Sequence, residues 1–240
     1  MQNEGRSQII FSGALTEASQ RFDRNSNPRA SGRFSKKELR ASGEHGITDS
    51  VTAIASITGQ HRTIKESPEN INGANAAFLG GARVRLWASD ATILSFQTNI
   101  EANGEQRIRG RFRRLDAPVE ADVRLLLGHG FSIAGLSSFV DFQTAYRWRG
   151  GGNAAEAHFD ATLGVRPLPK FLLLLQSFNT IALQQQTRFN LPPSRQHKLQ
   201  ASIVYDLTSQ VSLQLGAFAS IAARESLREQ GFVTALWWKF

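Results

Sequence analysis

The chain has no cysteine and no long apolar run. Without cysteine it can form neither a disulfide framework nor a thiolate metal site. The longest strongly apolar stretch is Phe171–Leu175, whereas a membrane-spanning helix needs about 20 apolar residues. The mean hydropathy of −0.27 still permits a transmembrane β-barrel, because each strand of such a barrel is apolar on one face only.

Strict alternation of apolar and polar residues recurs along the whole chain. In one segment, Leu94 and Phe96 alternate with Ser95 and Gln97, which is the period of a β-strand between an apolar and a polar environment. Twelve such segments are predicted as strands. They cover about 6–20, 33–44, 51–60, 76–87, 92–102, 120–128, 136–148, 155–166, 170–179, 196–206, 211–220 and 227–240.

The connections between these segments alternate in length. Short turns are predicted near 45–50, 89–91, 129–135, 167–169 and 206–210, and mostly longer loops near 21–32, 62–75, 103–119, 149–154, 180–195 and 221–226. Outer-membrane barrels have short periplasmic turns and longer external loops. Segments of roughly 10 to 13 residues also match the ~9–11 residues of a tilted strand that crosses a bilayer.

The last segment ends on aromatic residues. Phe232, Leu236, Trp238 and Phe240 share one face of it, and a terminal aromatic on an alternating strand resembles the assembly signal of bacterial outer-membrane barrels. Aromatic residues at strand ends also fit an interfacial girdle. The alternative is that the tryptophans pack in a soluble core.

These patterns together predict an all-β protein. We expect a transmembrane antiparallel up-and-down β-barrel of about twelve strands, forming one domain over residues 1–240 and closed by the strand that ends at Phe240. Ten or fourteen strands remain possible, because residues 106–115 could form an extra hairpin arm or lengthen their neighbours. The expected location is the bacterial outer membrane, after removal of an export signal.

Two sets of residues resemble known barrels. Glu44–Thr52 resembles the E-Y-G-L-T-D-x-L-T hairpin of many small bacterial outer-membrane barrels. Val165–Pro167, Leu172–Thr180 and His197–Gln200 resemble proteobacterial barrels described as XagA-like. The resemblance implies the fold and the location. It implies function only loosely, through surface polysaccharide and biofilm, and it assigns no mechanism to any residue.

Charged residues occupy the faces opposite the apolar ones, so we expect them inside the barrel. The predicted lumen-lining residues are Arg40, Arg83, Arg85, Arg124, Asp141, Arg147, His158 and Asp160. Opposing charges can line a narrow pathway for a small hydrophilic solute, which is the leading hypothesis. Alternatively, the charges pair and fill the lumen, and the barrel is a non-conducting surface protein linked to polysaccharide, adhesion or envelope integrity. A barrel of twelve strands is intermediate in size between small barrels, whose interior is filled with side chains, and large barrels, which hold a water-filled channel.

The sequence gives little support for catalysis. Barrel acyl hydrolases place a serine beside a histidine on the outer wall, and a His-x-Ser spacing is absent. His158 stands two residues from both Glu156 and Asp160, which favours lumen salt bridges over an oriented base. We expect no enzyme activity, no metal and no cofactor, because the His158 group alone is too small for a metal site and no phosphate-binding glycine loop is present.

The formal charge is +8, and the basic residues are scattered along the chain except for one cluster. Arg107, Arg109, Arg111 and Arg113 alternate with other residues in the predicted loop 103–119. No basic globular domain surrounds them, so we expect no nucleic-acid partner. An external hairpin that contacts lipopolysaccharide phosphates is expected, and a solvated loop is the alternative. The other expected partners are outer-membrane lipid, the barrel-assembly machinery and a small hydrophilic solute.

Overall fold

A computed structural model describes residues 1–66, 69–108, 115–116, 119–185 and 192–240. For residues 66, 69–71, 105–108 and 115–116 it describes the backbone alone. The strands, in chain order, are β1 Ser7–Phe22, β2 Pro28–Thr48, β3 Val51–Glu66, β4 Glu69–Ala88, β5 Thr92–Ile108, β6 Leu115–Asp116, β7 Val119–Ile133, β8 Leu136–Arg149, β9 Glu156–Leu168, β10 Phe171–Ala182, β11 Arg195–Asp206, β12 Val211–Arg224, β13 Ser226–Leu227 and β14 Gln230–Lys239.

The twelve long strands of the described residues form one closed antiparallel barrel. Each pairs with its neighbours in sequence, and β1 pairs with both β2 and β14. The two-residue strands β6 and β13 only extend the pairing of β5 and β1. Closure satisfies the backbone hydrogen bonds without a free edge, as a sheet in lipid requires. The predicted twelve-stranded barrel is therefore confirmed.

Several strands are longer than predicted. β2 has 21 residues, and the predicted loop 62–75 was wrong because β3 continues to Glu66 and β4 begins at Glu69. The predicted connections 21–32 and 129–135 shrink in the same way, since β2 begins at Pro28 and β7 continues to Ile133. Polar residues beyond the membrane still pair across strands, so a change to polar sequence marks the edge of lipid and not the end of a strand.

The short turns and both described ends of the chain lie at the same end of the barrel. Ser7 exchanges backbone hydrogen bonds with Phe240 at that end. The β7–β8 turn consists of Ala134 and Gly135, with φ of 49° and 79°, as a two-residue turn of the hairpin type requires. We call this the turn end and the opposite one the loop end.

The outer face of the barrel is apolar. Leu39 is 73% exposed and Phe232 is 71% exposed, values that a soluble protein would not repeat over a contiguous belt. Aromatic pairs mark the turn end of the belt, where ring centroids lie 4.9 Å apart in Phe171–Tyr205 and in Trp238–Phe240. Among the described residues, no helix is long and apolar enough to cross a membrane.

Asp23 organises the β1–β2 connection at the loop end. Its Oδ1 accepts hydrogen bonds from the backbone N–H groups of Asn25 and Asn27, at 2.8 and 2.9 Å, and its Oδ2 accepts one from Arg29 Nε at 3.1 Å. The hydrogen bond from the Asn27 backbone is the main reason that the pKa of Asp23 falls below its ordinary value of 3.8. The ionised carboxylate therefore holds this turn in place.

This turn is expected to loosen in acid. A carboxyl whose pKa is lowered by folding stabilises the turn above its unfolded pKa of about 3.9, and that contribution is lost as pH falls through the lower folded pKa. The amide proton shifts of Asn25 and Asn27 should titrate together with a midpoint below the ordinary aspartate value. Asp23→Asn should abolish the titration. A midpoint at or above the ordinary value would contradict this account.

Candidate functional site in the barrel interior

The barrel places all eight predicted lining residues on its inner face. Cross-strand register puts Arg147 beside Asp122 and Asp160 beside Gln143, on the face opposite the exposed Phe142. The lining residues are Arg40, Arg83 and Arg85 on β2 and β4, Arg124 on β7, Asp141 and Arg147 on β8, and His158 and Asp160 on β9. Together they form a charged wall along one side of the lumen.

Asp122, on the inner face of β7, is a buried carboxylate that pairs with residues of this wall. Its side chain is 4% exposed and accepts a hydrogen bond of 3.0 Å from Asn99 Nδ2. Arg124 Nε lies 3.5 Å from one of its oxygens, and Arg147 Nε lies 3.8 Å from the other. Arg124 also lies 3.5 Å from Asp160. Such shared pairing compensates the cost of burying charge and holds the arginines against the wall.

Arg83 extends from β4 along the inner wall, over β3, to β2. Its Nη2 lies 2.9 Å from Glu44 Oε1 on β2, and its Nε donates to Gln97 Oε1 at 2.8 Å. The side chain is 15% exposed. Arg83 lines two interior cavities, one of about 510 Å³ that extends to the turn end and one of about 320 Å³ in the middle of the barrel. The Arg83–Glu44 pair therefore lies at the boundary between them.

The middle cavity is rich in arginine. Arg40, Arg83, Arg124 and Arg147 line it, together with Glu44. Arg40 donates to Ser56 Oγ at 3.2 Å and has no carboxylate partner among the described contacts. The walls of the middle cavity are therefore polar and carry more positive than negative charge.

A second charged cluster lies toward the loop end. Arg149 Nε lies 3.0 Å from Glu120 Oε1, and Arg149 also pairs with Glu156. His158 Nε2 lies 3.3 Å from Glu156 Oε2, and its Nδ1 lies 3.3 Å from Thr180 Oγ1. The His158 ring thus lies between the Glu156 carboxylate of this cluster and the threonine hydroxyl.

The opposite wall is mostly uncharged. Gln200 Nε2 donates to Gln176 Oε1 at 3.0 Å, Gln214 Nε2 donates to Ser202 Oγ at 3.1 Å, and Trp237 Nε1 donates to Gln214 Oε1 at 3.1 Å. We call this chain of hydrogen bonds the amide wall. Sequence reasoning missed this wall, although Gln200 and Gln214 each lie between two apolar residues and this alternation was the available signal.

An apolar cluster also lies inside the barrel. Leu172, Leu174 and Val204 are at most 6% exposed, and Trp237 packs against them. The run Phe171–Leu175 hides the alternation of β10, so the sequence did not reveal that half of its leucines face inward. The side chains of this cluster are uncharged, and they narrow the lumen at the turn end.

The first residues of the chain fold back into the turn end of the lumen. Glu4 forms a parallel bridge with Gly46, and Gly5 N–H donates to Gly46 O at 2.9 Å. Ser95 Oγ contacts Met1 Sδ at 3.2 Å, on the inner face of β5. Residues 1–5 therefore occupy part of the space between the charged wall and the mouth.

The basic loop residues Arg109, Arg111 and Arg113 lie outside the described residues, and for Arg107 only the backbone is described, paired with Gly73. Their predicted contact with lipopolysaccharide stays a prediction. The four residues of the expected assembly signal lie on the outer face of the closing strand or just beyond it. They are Phe232, Leu236, Trp238 and Phe240, all exposed.

A polar trio interrupts the outer face between β10 and β11. His197 Nδ1 lies 2.6 Å from Asn179 Oδ1, and Asn179 Nδ2 donates to Ser177 Oγ at 3.1 Å. Among the hydrogen bonds of these three residues, none joins the Ser177 hydroxyl to the His197 ring. A nucleophilic serine needs that hydrogen bond, whereas Asn179 lies between the two side chains here.

Comparison with solved structures places the fold among bacterial outer-membrane barrels. The COG4313 outer membrane channel from Pseudomonas putida F1 superposes with a TM-score of 0.75 at 11% identity, over 100% of this chain and 97% of that one. The translocator domain of autotransporter NalP from Neisseria meningitidis gives a TM-score of 0.60 at 11% identity, over 100% and 90% of the two chains. The beta domain of the Bordetella autotransporter BrkA gives 0.58 at 11% identity, with both chains fully covered.

The sequence itself matches no protein-family model and no curated protein. At 11% identity the structural likeness is one of fold. The chain therefore has the outer-membrane β-barrel fold, and the XagA-like resemblance stays a prediction.

Proposed function

We propose that this barrel is an outer-membrane channel through which small hydrophilic solutes pass passively. The observation that carries the proposal is the pair of interior cavities, of about 510 and 320 Å³, that Arg83 lines in a closed barrel, the smaller of them mainly polar. The charged wall and the amide wall supply hydrogen-bonding partners that replace part of a solute's hydration. The proposal includes no catalytic step, metal or cofactor.

A third interior space extends this route toward the loop end. It measures about 240 Å³ and is lined by Phe178, Lys198, Gln200 and Phe218. A solute that enters between the loops would meet this space, then the middle arginines, and then the mouth at the turn end. The route is narrow throughout, because twelve strands enclose much less space than the sixteen to eighteen of a porin.

The second candidate is a non-conducting barrel with a surface or structural role. Two observations favour it: residues 1–5 occupy part of the turn end of the lumen, and the Arg83–Glu44 ion pair lies between the two cavities that Arg83 lines. In this second candidate function, the barrel would take part in surface polysaccharide, adhesion or envelope integrity. In both cases we propose outer-membrane lipid and the barrel-assembly machinery as partners, since the exposed apolar belt must be inserted into lipid.

Conductance decides between the two candidates. The purified, refolded barrel should give discrete single-channel steps in a planar lipid bilayer with potassium chloride on both sides. Proteoliposomes should also swell in an isotonic solution of a small neutral sugar faster than protein-free liposomes. Silent bilayers together with non-swelling liposomes, at a protein density verified by electrophoresis, would rule out the channel and leave the non-conducting barrel.

The position of residues 1–5 leads to a separate prediction. A Cβ atom at position 46 would lie 2.0 Å from the backbone oxygen of Asn3, so Gly46→Ala should displace the segment from the lumen. Removal of this obstruction should raise the conductance by roughly twofold. Gly59→Ala is the matched control, because nothing lies within 4 Å of the added methyl group. A conductance of Gly46→Ala equal to that of the control would show that the segment does not narrow the route.

A further inference from the structure

The outer wall carries a cluster of basic residues at the loop end of β2 and β3. Arg33 pairs across the strands with Lys65, and Lys37 pairs with His61. All four side chains are exposed and lie on the same face as the outward Leu39. We call Arg33, Lys37, His61 and Lys65 the cationic patch. It begins where the apolar belt ends, since Lys37 is two residues from Leu39.

The charges of this patch are not compensated within the protein. None of the four has an ion-pair partner among the described residues, whereas the neighbouring inward Lys36 lies 3.2 Å from Glu38. Among the described side chains on the outer faces of β1 to β4, only Glu17 has a carboxylate near the patch. Several like charges on adjacent strands repel each other. An anionic ligand would relieve that repulsion.

An apolar groove lies directly beside the patch. It measures about 1000 Å³ and crosses the outer face from β2 through β1, β14, β12 and β11 to β10, with Lys37 at one edge. Its floor consists of small residues, Gly13, Ala201 and Ala217, and large side chains such as Phe232 rise beside it. Lys37 lies in the same cross-strand row as Leu15 and Phe232.

We propose that the cationic patch and this groove form one binding site for lipopolysaccharide, through its phosphorylated, multiply acylated lipid A part. The patch is complementary to the phosphates, and the groove, six strands wide, accommodates several acyl chains side by side. A phospholipid with two chains would fill only part of it. The proposal requires the outer-membrane location but not conduction, so it stands or fails separately from the channel.

The test is native mass spectrometry of the folded barrel in detergent, titrated with lipid A. Lys37→Glu/Lys65→Glu should weaken retention of bisphosphorylated lipid A by about tenfold or more. The matched control is Arg195→Glu/Arg224→Glu, which reverses two exposed arginines paired across β11 and β12 at the same end. It should bind like the wild type. The heat-dependent mobility shift in detergent electrophoresis verifies that each variant is folded.

A second pair of variants tests the groove. Ala217→Trp should fill the groove and weaken lipid A binding, while Ala82→Trp places the same side chain at another exposed position and should not weaken it.

An equal loss of lipid A binding in the two charge-reversed variants would overturn the proposal, because binding would then follow net charge. Equal retention of dephosphorylated lipid A, or of phosphatidylglycerol, would also overturn it.

Discussion

Replacing Arg83 by alanine should raise the single-channel conductance roughly threefold. Arg83 lines both the 510 Å³ and the 320 Å³ cavity, and between them its guanidinium pairs with Glu44 on the same wall. Removing the side chain joins the two cavities and releases the Glu44 carboxylate toward its own wall. We also expect the four arginines around the middle cavity to make the channel prefer anions, and the loss of one of them should weaken that preference.

The matched control for this variant is Arg166→Ala. Arg166 is also ion-paired, at 2.8 Å from Asp206, but it lines neither of the two cavities. Its removal should leave the conductance within the scatter of the wild type. A channel in which Arg83→Ala and Arg166→Ala conduct equally would show that the Arg83–Glu44 pair does not limit the route. Glu44→Gln, which keeps the shape and removes the charge, separates the steric effect from the electrostatic one.

Replacing Asp122 by alanine should destabilise the barrel by about 2–3 kcal/mol. Asp122 is 4% exposed and is shared by Asn99, Arg124 and Arg147. Its loss leaves two arginines facing each other without the anion between them. The cost stays below that of a fully isolated buried charge, because Arg124 keeps Asp160 and Arg147 keeps Glu120.

Urea unfolding in lipid vesicles, followed by tryptophan fluorescence, measures this loss. Asp90→Ala is the control, since Asp90 is exposed in the β4–β5 turn and should change stability by less than about 0.5 kcal/mol. A stability of Asp122→Ala equal to that of Asp90→Ala would contradict the role given to the buried carboxylate. In that case water in the lumen would be solvating the arginines.

The barrel could be predicted from the sequence because every strand has lipid on one face and the barrel interior on the other. Residues such as Phe96 and Gln97 alternate with a period of two, and this alone assigns lipid-facing and interior sides. The ends of the strands were less predictable. Residues 62–66 are polar apart from Ile64, yet backbone pairing continues through them.

The interior was only partly predictable for a different reason. Alternation gives the face of Arg83 but not its partner, since Glu44 lies two strands away and 39 positions earlier in sequence. The amide wall depends on the same distant register. The apolar cluster around Val204 was hidden because Leu172 and Leu174 are inward residues in an uninterrupted leucine run. Residues 1–5 were not expected in the lumen, since nothing in their composition indicates it.

The central claim is that each strand turns its apolar side to lipid and its polar side to a water-accessible interior. Because the chain has no cysteine, single cysteines can test it strand by strand in vesicles, using a membrane-impermeant thiol reagent. Gln143→Cys and Gln200→Cys, on the inner face, should be labelled, and Thr144→Cys and Ala201→Cys, on the outer face, should be protected. Labelling of the outer pair with protection of the inner pair would contradict the account.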